Sequence, residues 1–335
     1  MPERVLVVGL GSIGRRHARL IRQAGPGVKI AALRRAGSSP DGEELVDLVF
    51  HSLEEAILQF RPQAAVIANP ATRHLETALT LAGAGVHLLV EKPLAANAAG
   101  VAELIALGAA QQVVLATGYN LRFSASLQEF RNQLCRAGQM ISVRAEVGQY
   151  LPGWRPDADY RQAVSASGAL GGGALLELSH EFDYLQWIFG DVTSVCASVD
   201  RQSALEIDVE DTAHIVMGMK TQTADGAPLK IRLDLDLYRH DTTRTCVAIG
   251  SEGSLRWNGI AGTVEFFAPG AATWEQMFEH KTQRDETYQL QWEHFRACIR
   301  TGSMPAADGN AGLKVLKLID AARKSSEFSC TVPVG

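Results

Sequence analysis

Apolar and polar positions follow two regimes along the chain. Through residue 118, short runs rich in Val, Ile, Leu and Ala fall at 4–8, 28–33, 64–68, 86–90 and 113–117. Each has the length of a strand buried on both faces. Between them, apolar positions recur at helical spacing over 14–24, 53–60, 74–82 and 98–110. The second of these follows Ser52 with Glu55 three places on, a capping-box pattern. Strand–helix alternation of this kind predicts a parallel sheet covered by helices and wound right-handed.

After Tyr119 the pattern changes. A helix is expected over 124–136 and a strand over 140–148, followed by a loop containing Tyr150, Leu151, Pro152, Gly153, Trp154, Arg155, Pro156 and Asp157. The triplet Gly171-Gly172-Gly173 precedes a helix expected to run unbroken over 174–189. From 192 to 267 the chain reads as several strands, and 231–237 alternates apolar and polar, the mark of a sheet with one face turned to water or to a partner. Helices over 287–301 and 309–325 close the chain. The second part is expected to be an open, mostly antiparallel sheet with helices on one side.

Composition narrows the function classes. A length of 335 residues suggests two domains. With 46% apolar and 21% charged residues, the chain is that of a folded protein rather than a disordered one. A formal net charge of −5 without a basic tract argues against nucleic-acid binding. The apolar run at 5–10 is too short for a signal or membrane segment. Cys135, Cys196, Cys246, Cys298 and Cys330 are odd in number and scattered, with no CxxC. That points to a reducing cytoplasm and to no metal site. His51, His214 and His240 likewise show no metal-ligand spacing.

The sharpest motif is Gly9-Leu10-Gly11-Ser12-Ile13-Gly14, a GxGxxG directly after the first strand and opening the first helix. In that position Gly9 permits the tight turn, Gly11 lets backbone approach a pyrophosphate, and Gly14 lets helix and strand pack closely. Ser12 and Ile13 begin the helix whose free N–H groups favour phosphate. The fold class is therefore α/β, with an N-terminal Rossmann doubly wound sheet at 1–118. A C-terminal α+β domain is expected at 119–335, its last helix free to pack back on the first domain. The acid that usually binds the ribose 2′-hydroxyl about 20 positions on is absent, since Arg34 stands there, followed by Arg35, Ser38 and Ser39. Arginine can pair with a 2′-phosphate. NADP is expected to be preferred, with NAD as the alternative.

The run 86–90 ends in Glu91-Lys92-Pro93. Ligands of open parallel sheets bind outside the carboxyl ends of the strands. Lys92, stiffened by Pro93, is thus placed to donate to a substrate oxygen.

Together these residues resemble the glucose–fructose oxidoreductase, inositol dehydrogenase and rhizopine-catabolism (Gfo/Idh/MocA) oxidoreductases. The resemblance runs through Asn69-Pro70 with His74, through 82–87 into Glu91-Lys92-Pro93, and through Gly118-Tyr119-Asn120 with Arg122-Phe123. It continues in the glycine triplet before Glu177 and His180, and in Asp308-Gly309. It implies hydride exchange between a nicotinamide and a sugar or cyclitol carbon. It also implies a catalytic Lys92 and a homodimer or homotetramer formed through the C-terminal sheet. Asn69, Pro70, His74, Glu91, Lys92 and Asn120 join the cofactor set. The carboxylate and histidine that follow the glycine cluster become Glu177 and His180. They stand three apart where many members have four, and aligning from His180 keeps Asp183 in register.

At 100° per residue, Glu177, His180, Asp183 and Tyr184 share one face of the expected helix, while Leu175, Leu178, Leu185 and Phe189 point away. His180 is the natural general base near neutral pH, with Glu177 to orient it. Tyr119, Arg122, Trp154, Arg155, Tyr160 and Arg161 are the further substrate candidates, because aromatic rings stack on sugars and arginines clamp acidic groups. The expected function is an oxidoreductase acting on a sugar, sugar acid, nucleotide sugar or cyclitol. The alternatives are a dinucleotide-binding sensor without turnover, and a redox-assisted hydrolase or epimerase.

Overall fold

A computed structural model of the chain describes every residue except Met1 and Ser38. The chain divides into two compact units, Met1–Asn120 with Arg284–Leu316, and Leu121–Gln283 with Lys317–Gly335.

The first unit carries six parallel strands: β1 (Arg4–Val8), β2 (Lys29–Leu33), β3 (Leu48–Phe50), β4 (Ala64–Ile67), β5 (His87–Val90) and β6 (Leu115–Thr117). Their order is β3-β2-β1-β4-β5-β6, which reverses between β1 and β4, where such sheets bind dinucleotides. β3 was not foreseen, because Leu48 is exposed, Val49 and Phe50 are only partly buried, and three residues are too few to show a period. Helices α1 (Ser12–Ala24), α2 (Leu53–Glu55), α3 (His74–Gly83) and α4 (Val101–Ala110) connect the strands. The expected cap of α2 is present, with Ser52 Oγ accepting the Glu55 N–H at 3.3 Å, but the helix widens at once into a π-turn over Ala56–Phe60.

The central strands are sealed on both faces. Val5, Val7, Ile30, Ala32, Ala64, Val66 and Leu89 share one core with Ala18 and Ile21 of α1. Trp292 and Phe295 belong to the same core. Both come from α8 (Glu286–Thr301), so 284–316 belongs to this unit, where the sequence reading has 119–335 as the second domain with its last helix free to pack back on the first. Arg16 and Arg19 of α1 pin the segment by ion pairs to Asp285.

The second unit contains α5 (Ala125–Gln133), α6 (Ala174–Glu177) and α7 (His180–Phe189), with strands β7 (Met140–Gly148), β8 (Val192–Asp200), β9 (Thr212–Gln222), β10 (Pro228–Asp236), β11 (Thr243–Gly250), β12 (Gly253–Asn258), β13 (Thr263–Phe267), β14 (Glu275–Glu279) and β15 (Val332–Pro333). The strands form one sheet in the order β14-β13-β12-β11-β7-β10-β9-β8-β15, antiparallel except for the β7–β10 pair. β10 shows the expected alternation: Leu229, Ile231, Leu233 and Leu235 are buried, while Lys230 and Arg232 are exposed. The last helix, α9 (Gly309–Phe328), ends along β8, where Ser325 and Ser326 accept the N–H groups of Ala197 and Val199 at 2.8 and 2.9 Å.

The unbroken helix expected over 174–189 is corrected. Leu178 leaves helical geometry (φ −100°, ψ 26°), and the buried Ser179 begins a new helix. Glu177 and His180 therefore stand on two short helices rather than on adjacent turns of one.

Candidate active site

In the first unit the predicted cofactor residues converge at the carboxyl ends of the parallel strands. Gly9 follows β1, Asn69 follows β4, Glu91 and Lys92 follow β5, and Tyr119 and Asn120 follow β6. Gly9 has φ +90°, and a Cβ there would stand 3.0–3.1 Å from the backbone of Ala68 and Asn69. A Cβ on Gly14 would fall 1.8 Å from the Gly9 carbonyl oxygen, so helix and turn can meet only through glycine. Gly11, by contrast, has nothing within 4 Å of the Cβ position, leaving space for a ligand against its backbone. It caps α1 without a side chain, and no acid occupies the first turn that contains Ser12 and Ile13. The helix end is thus open to an anion. The Oδ1 atom of Asn69 is buried with no protein partner among the described residues, while its Nδ2 donates to Thr77. These features fit a dinucleotide: an uncapped helix end for the pyrophosphate and an unmet acceptor beside the turn.

The turn carrying Lys92 is held from several sides. His17 of α1 meets Glu91 Oε1 at 2.5 Å, and the two side chains are 1% and 9% exposed. Glu91 Oε2 accepts the Lys92 N–H at 3.3 Å. Burial alone would push the Glu91 carboxyl up. The hydrogen bond and charge of His17, with the charge of Lys92, outweigh that and hold it below its ordinary 4.5. A Cβ on Gly118 would stand 2.9 Å from both Glu91 and the Lys92 nitrogen, so this approach also requires glycine. The Lys92–Pro93 peptide is cis. His74, at the start of α3 behind Pro70, places its ring nitrogens 2.8 Å from the Pro93 carbonyl and 2.7 Å from that of Asn69. It ties the two turns together, and burial lowers its pKa. Asn120 is buried and donates to Thr287 at 2.9 Å. Tyr119, expected to meet substrate, is wholly buried.

His17 was missed by sequence reasoning. The available signal was a histidine one turn beyond Gly14 on the core-facing side of an amphipathic helix, where burial demands a partner. Arg34 also needs correction. Its side chain is 7% exposed and already paired with Glu43 at 2.7 Å, so it is not the open 2′-phosphate clamp that was expected. Arg35 is exposed, and Ser38 lies outside the described residues.

In the second unit, His180 is half-buried at the first position of α7. Glu177, at the end of α6, accepts from Ser165 Oγ at 2.9 Å. Asp183 is buried and takes a two-pronged bond from Arg122, at 2.9 Å from Nε and 2.7 Å from Nη2. The guanidinium expected to clamp substrate is therefore engaged by Asp183. Burial pushes the Asp183 carboxyl up, and Arg122 opposes that. Tyr184 does not share an open face with His180. It is 0% exposed, with its ring edge-on to Trp257 at 5.4 Å, so although it stands one turn on from His180 in α7 it is packed into the core.

The long loop is pinned by its own side chains. Trp154 Nε1 donates to the Gln149 carbonyl at 3.3 Å, and the Tyr160 hydroxyl accepts the Glu206 N–H at 3.2 Å. Arg161 is paired with Asp159 and Glu206, and Arg155 is exposed. The acidic stretch 206–211 makes specific contacts. Asp211 is buried and accepts from Gln202, Ser203 N–H and the Ser203 hydroxyl, and Glu210 accepts the Leu175 N–H. A Cβ on Gly173 (φ +100°) would lie 2.5 Å from the Glu210 carboxylate, which explains the last glycine of the triplet.

Residues 3–119 match the family model described as an oxidoreductase family with an NAD-binding Rossmann fold, and 145–334 match that family's C-terminal alpha/beta domain. The chain belongs to the Gfo/Idh/MocA oxidoreductase family. It is a nicotinamide-dependent dehydrogenase by class. Among curated relatives, a myo-inositol 2-dehydrogenase of Thermotoga maritima is 25% identical, with 97% of this chain and 96% of that protein covered. An uncharacterized oxidoreductase of Synechocystis is 29% identical over 64% of this chain, and the match spans just over half (56%) of that protein. Among solved structures, the WlbA dehydrogenase from Bordetella pertussis, in complex with NADH and UDP-GlcNAcA, superposes with a TM-score of 0.81. It is 24% identical, with 100% of this chain and 99% of that one covered.

Proposed function

We propose that the chain transfers hydride between a nicotinamide dinucleotide and the hydroxyl- or keto-bearing carbon of a sugar-type substrate, a class that includes cyclitols and nucleotide-linked sugars. The observation that carries this reading is the Lys92 turn. An amine stands at the carboxyl end of β5, backed by a buried carboxylate, in the sheet whose glycine turn receives the dinucleotide. The relatives that act on inositol and bind a nucleotide sugar support the substrate class.

When bound, the nicotinamide supplies the hydride acceptor or donor. Gly9, Gly11, Ser12, Ile13 and Gly14 would hold the pyrophosphate, with Asn69, Pro70, His74 and Asn120 as the further residues toward the dinucleotide. Lys92 donates a hydrogen bond to the reacting oxygen. His180 would take the hydroxyl proton when the substrate carbon is oxidised and return it in the reverse direction. Glu177, which accepts from Ser165 Oγ, is the carboxylate assigned to orient His180. Assembly of copies through the outer face of the nine-stranded sheet, where Val216 is exposed opposite Arg232, completes the proposal.

Lys92→Met tests the reading. NADH binding, followed by fluorescence, stays near that of the unaltered enzyme, while turnover with inositols or nucleotide sugars falls by orders of magnitude. Turnover at the original rate in Lys92→Met would remove Lys92 from the chemistry.

A further inference from the structure

At the carboxyl end of the second strand of a dinucleotide fold, a carboxylate meets the adenosine ribose and selects a free 2′-hydroxyl over a 2′-phosphate. In this chain that position is Arg34, yet a carboxylate reaches the place from another element. Glu43 opens a short 3-10 turn, Glu43–Leu45, in the connection from β2 to β3. Its Oε1 accepts from Arg34 Nη1 at 2.7 Å, and Arg34 Nη2 donates to the Ser39 carbonyl. The Arg34 side chain is 7% exposed, whereas that of Glu43 is 43% exposed. The pair thus presents its acidic member to solvent and keeps its basic member inside.

The turn is held against the phosphate-binding helix. Gly42 has φ +87°, and a Cβ there would lie 2.5 Å from Cδ of Arg15 in the first turns of α1. The left-handed backbone at Gly42 favours glycine, and its packing on the Arg15 side chain sets Glu43 beside α1, the helix whose N-terminus is open to the pyrophosphate. A 2′-phosphate arriving there would face a carboxylate, and it could reach Arg34 only by breaking the bond to Glu43. A 2′-hydroxyl would instead donate to that carboxylate.

We propose that Glu43 is the ribose-selecting acid of this enzyme, supplied by the β2–β3 connection in place of the strand end, and that it makes NAD(H) the preferred dinucleotide. The inference rests on the dehydrogenase reading and concerns only the choice between the two dinucleotides.

Fluorescence titration gives separate Kd values for NADH and NADPH without any sugar substrate. The unaltered protein is expected to bind NADH at least about tenfold more tightly, a difference of ~1.4 kcal/mol. In Glu43→Gln that preference shrinks about tenfold or more, through a gain for NADPH. Adding Arg34→Met to Glu43→Gln abolishes the gain, since the freed guanidinium is what takes the phosphate. Glu43→Lys is an independent arm, expected to invert the preference. Melting curves without ligand report whether each variant is folded. The assignment is overturned by a preference for NADPH in the unaltered protein. It is also overturned by an unchanged ratio in a folded Glu43→Gln or Glu43→Lys protein. Failure of the unaltered protein to bind either dinucleotide is a different result, and it overturns the dehydrogenase reading itself.

Discussion

The buried pair between His17 and Glu91 gives the most quantitative test of how the Lys92 turn is held. Replacing His17 with Ala removes the ring donor at 2.5 Å from Glu91 Oε1 and leaves a carboxylate that is 9% exposed. Stripping a buried carboxylate of its partner costs about 3–5 kcal/mol, because the remaining charge keeps its desolvation penalty without a compensating group. For a cooperative unit of this size each kcal/mol lowers Tm by about 2–4 °C, so the expected loss is roughly 6–20 °C. Glu91→Gln keeps a hydrogen-bonding group against the ring without the buried charge, and it is expected to cost less than His17→Ala. The double variant should cost less than the sum of the two, as for groups that share one interaction. The pH dependence has a definite sign. The folded carboxyl lies below its ordinary 4.5, so its contribution is fully present above about 4.5 and is lost as pH falls through the lower folded value. Scanning calorimetry from pH 3 to 8 reads both effects. A His17→Ala protein that melts within about 2 °C of the unaltered one at pH 7 would refute the reasoning, as would additive costs in the double variant.

Two further predictions follow from packing. Gly14→Ala puts a methyl 1.8 Å from the Gly9 carbonyl oxygen, so NADH affinity should fall by more than tenfold on titration even where the protein still folds. Arg122→Lys cannot reproduce the two-pronged bond to Asp183, whose side chain is 2% exposed, and should destabilise by about 2–4 kcal/mol in denaturant melts. Asp183→Asn, which leaves the guanidinium of Arg122 buried without its counter-charge, should behave similarly.

The elements were largely legible because their signals are local. The runs that became β1, β2, β4, β5 and β6 needed only their own apolar residues, and the glycine turn needed only backbone freedom at Gly9 and the missing side chain at Gly14. Lys92 could be placed at a strand end because strand length and the following proline are both written in a few consecutive residues. β14 and the break at Leu178–Ser179 were not legible. The first has little burial to create a period, and the second arises from packing on either side of a sequence with good helical spacing.

What the sequence determined by itself was the alternation of strands and helices, the dinucleotide turn, the family and the amine beside it, each carried by periodicity or by residues that no other type can replace. Only the tertiary structure decided which charges meet. Glu91 found His17 from 74 positions away, Asp183 found Arg122 from 61, and Arg34 turned to Glu43 rather than outward. A charged side chain looks the same in a sequence whether it faces water, a ligand or a buried counter-charge. Its partner is chosen by the desolvation cost that packing imposes, and that cost exists only once the chain is folded.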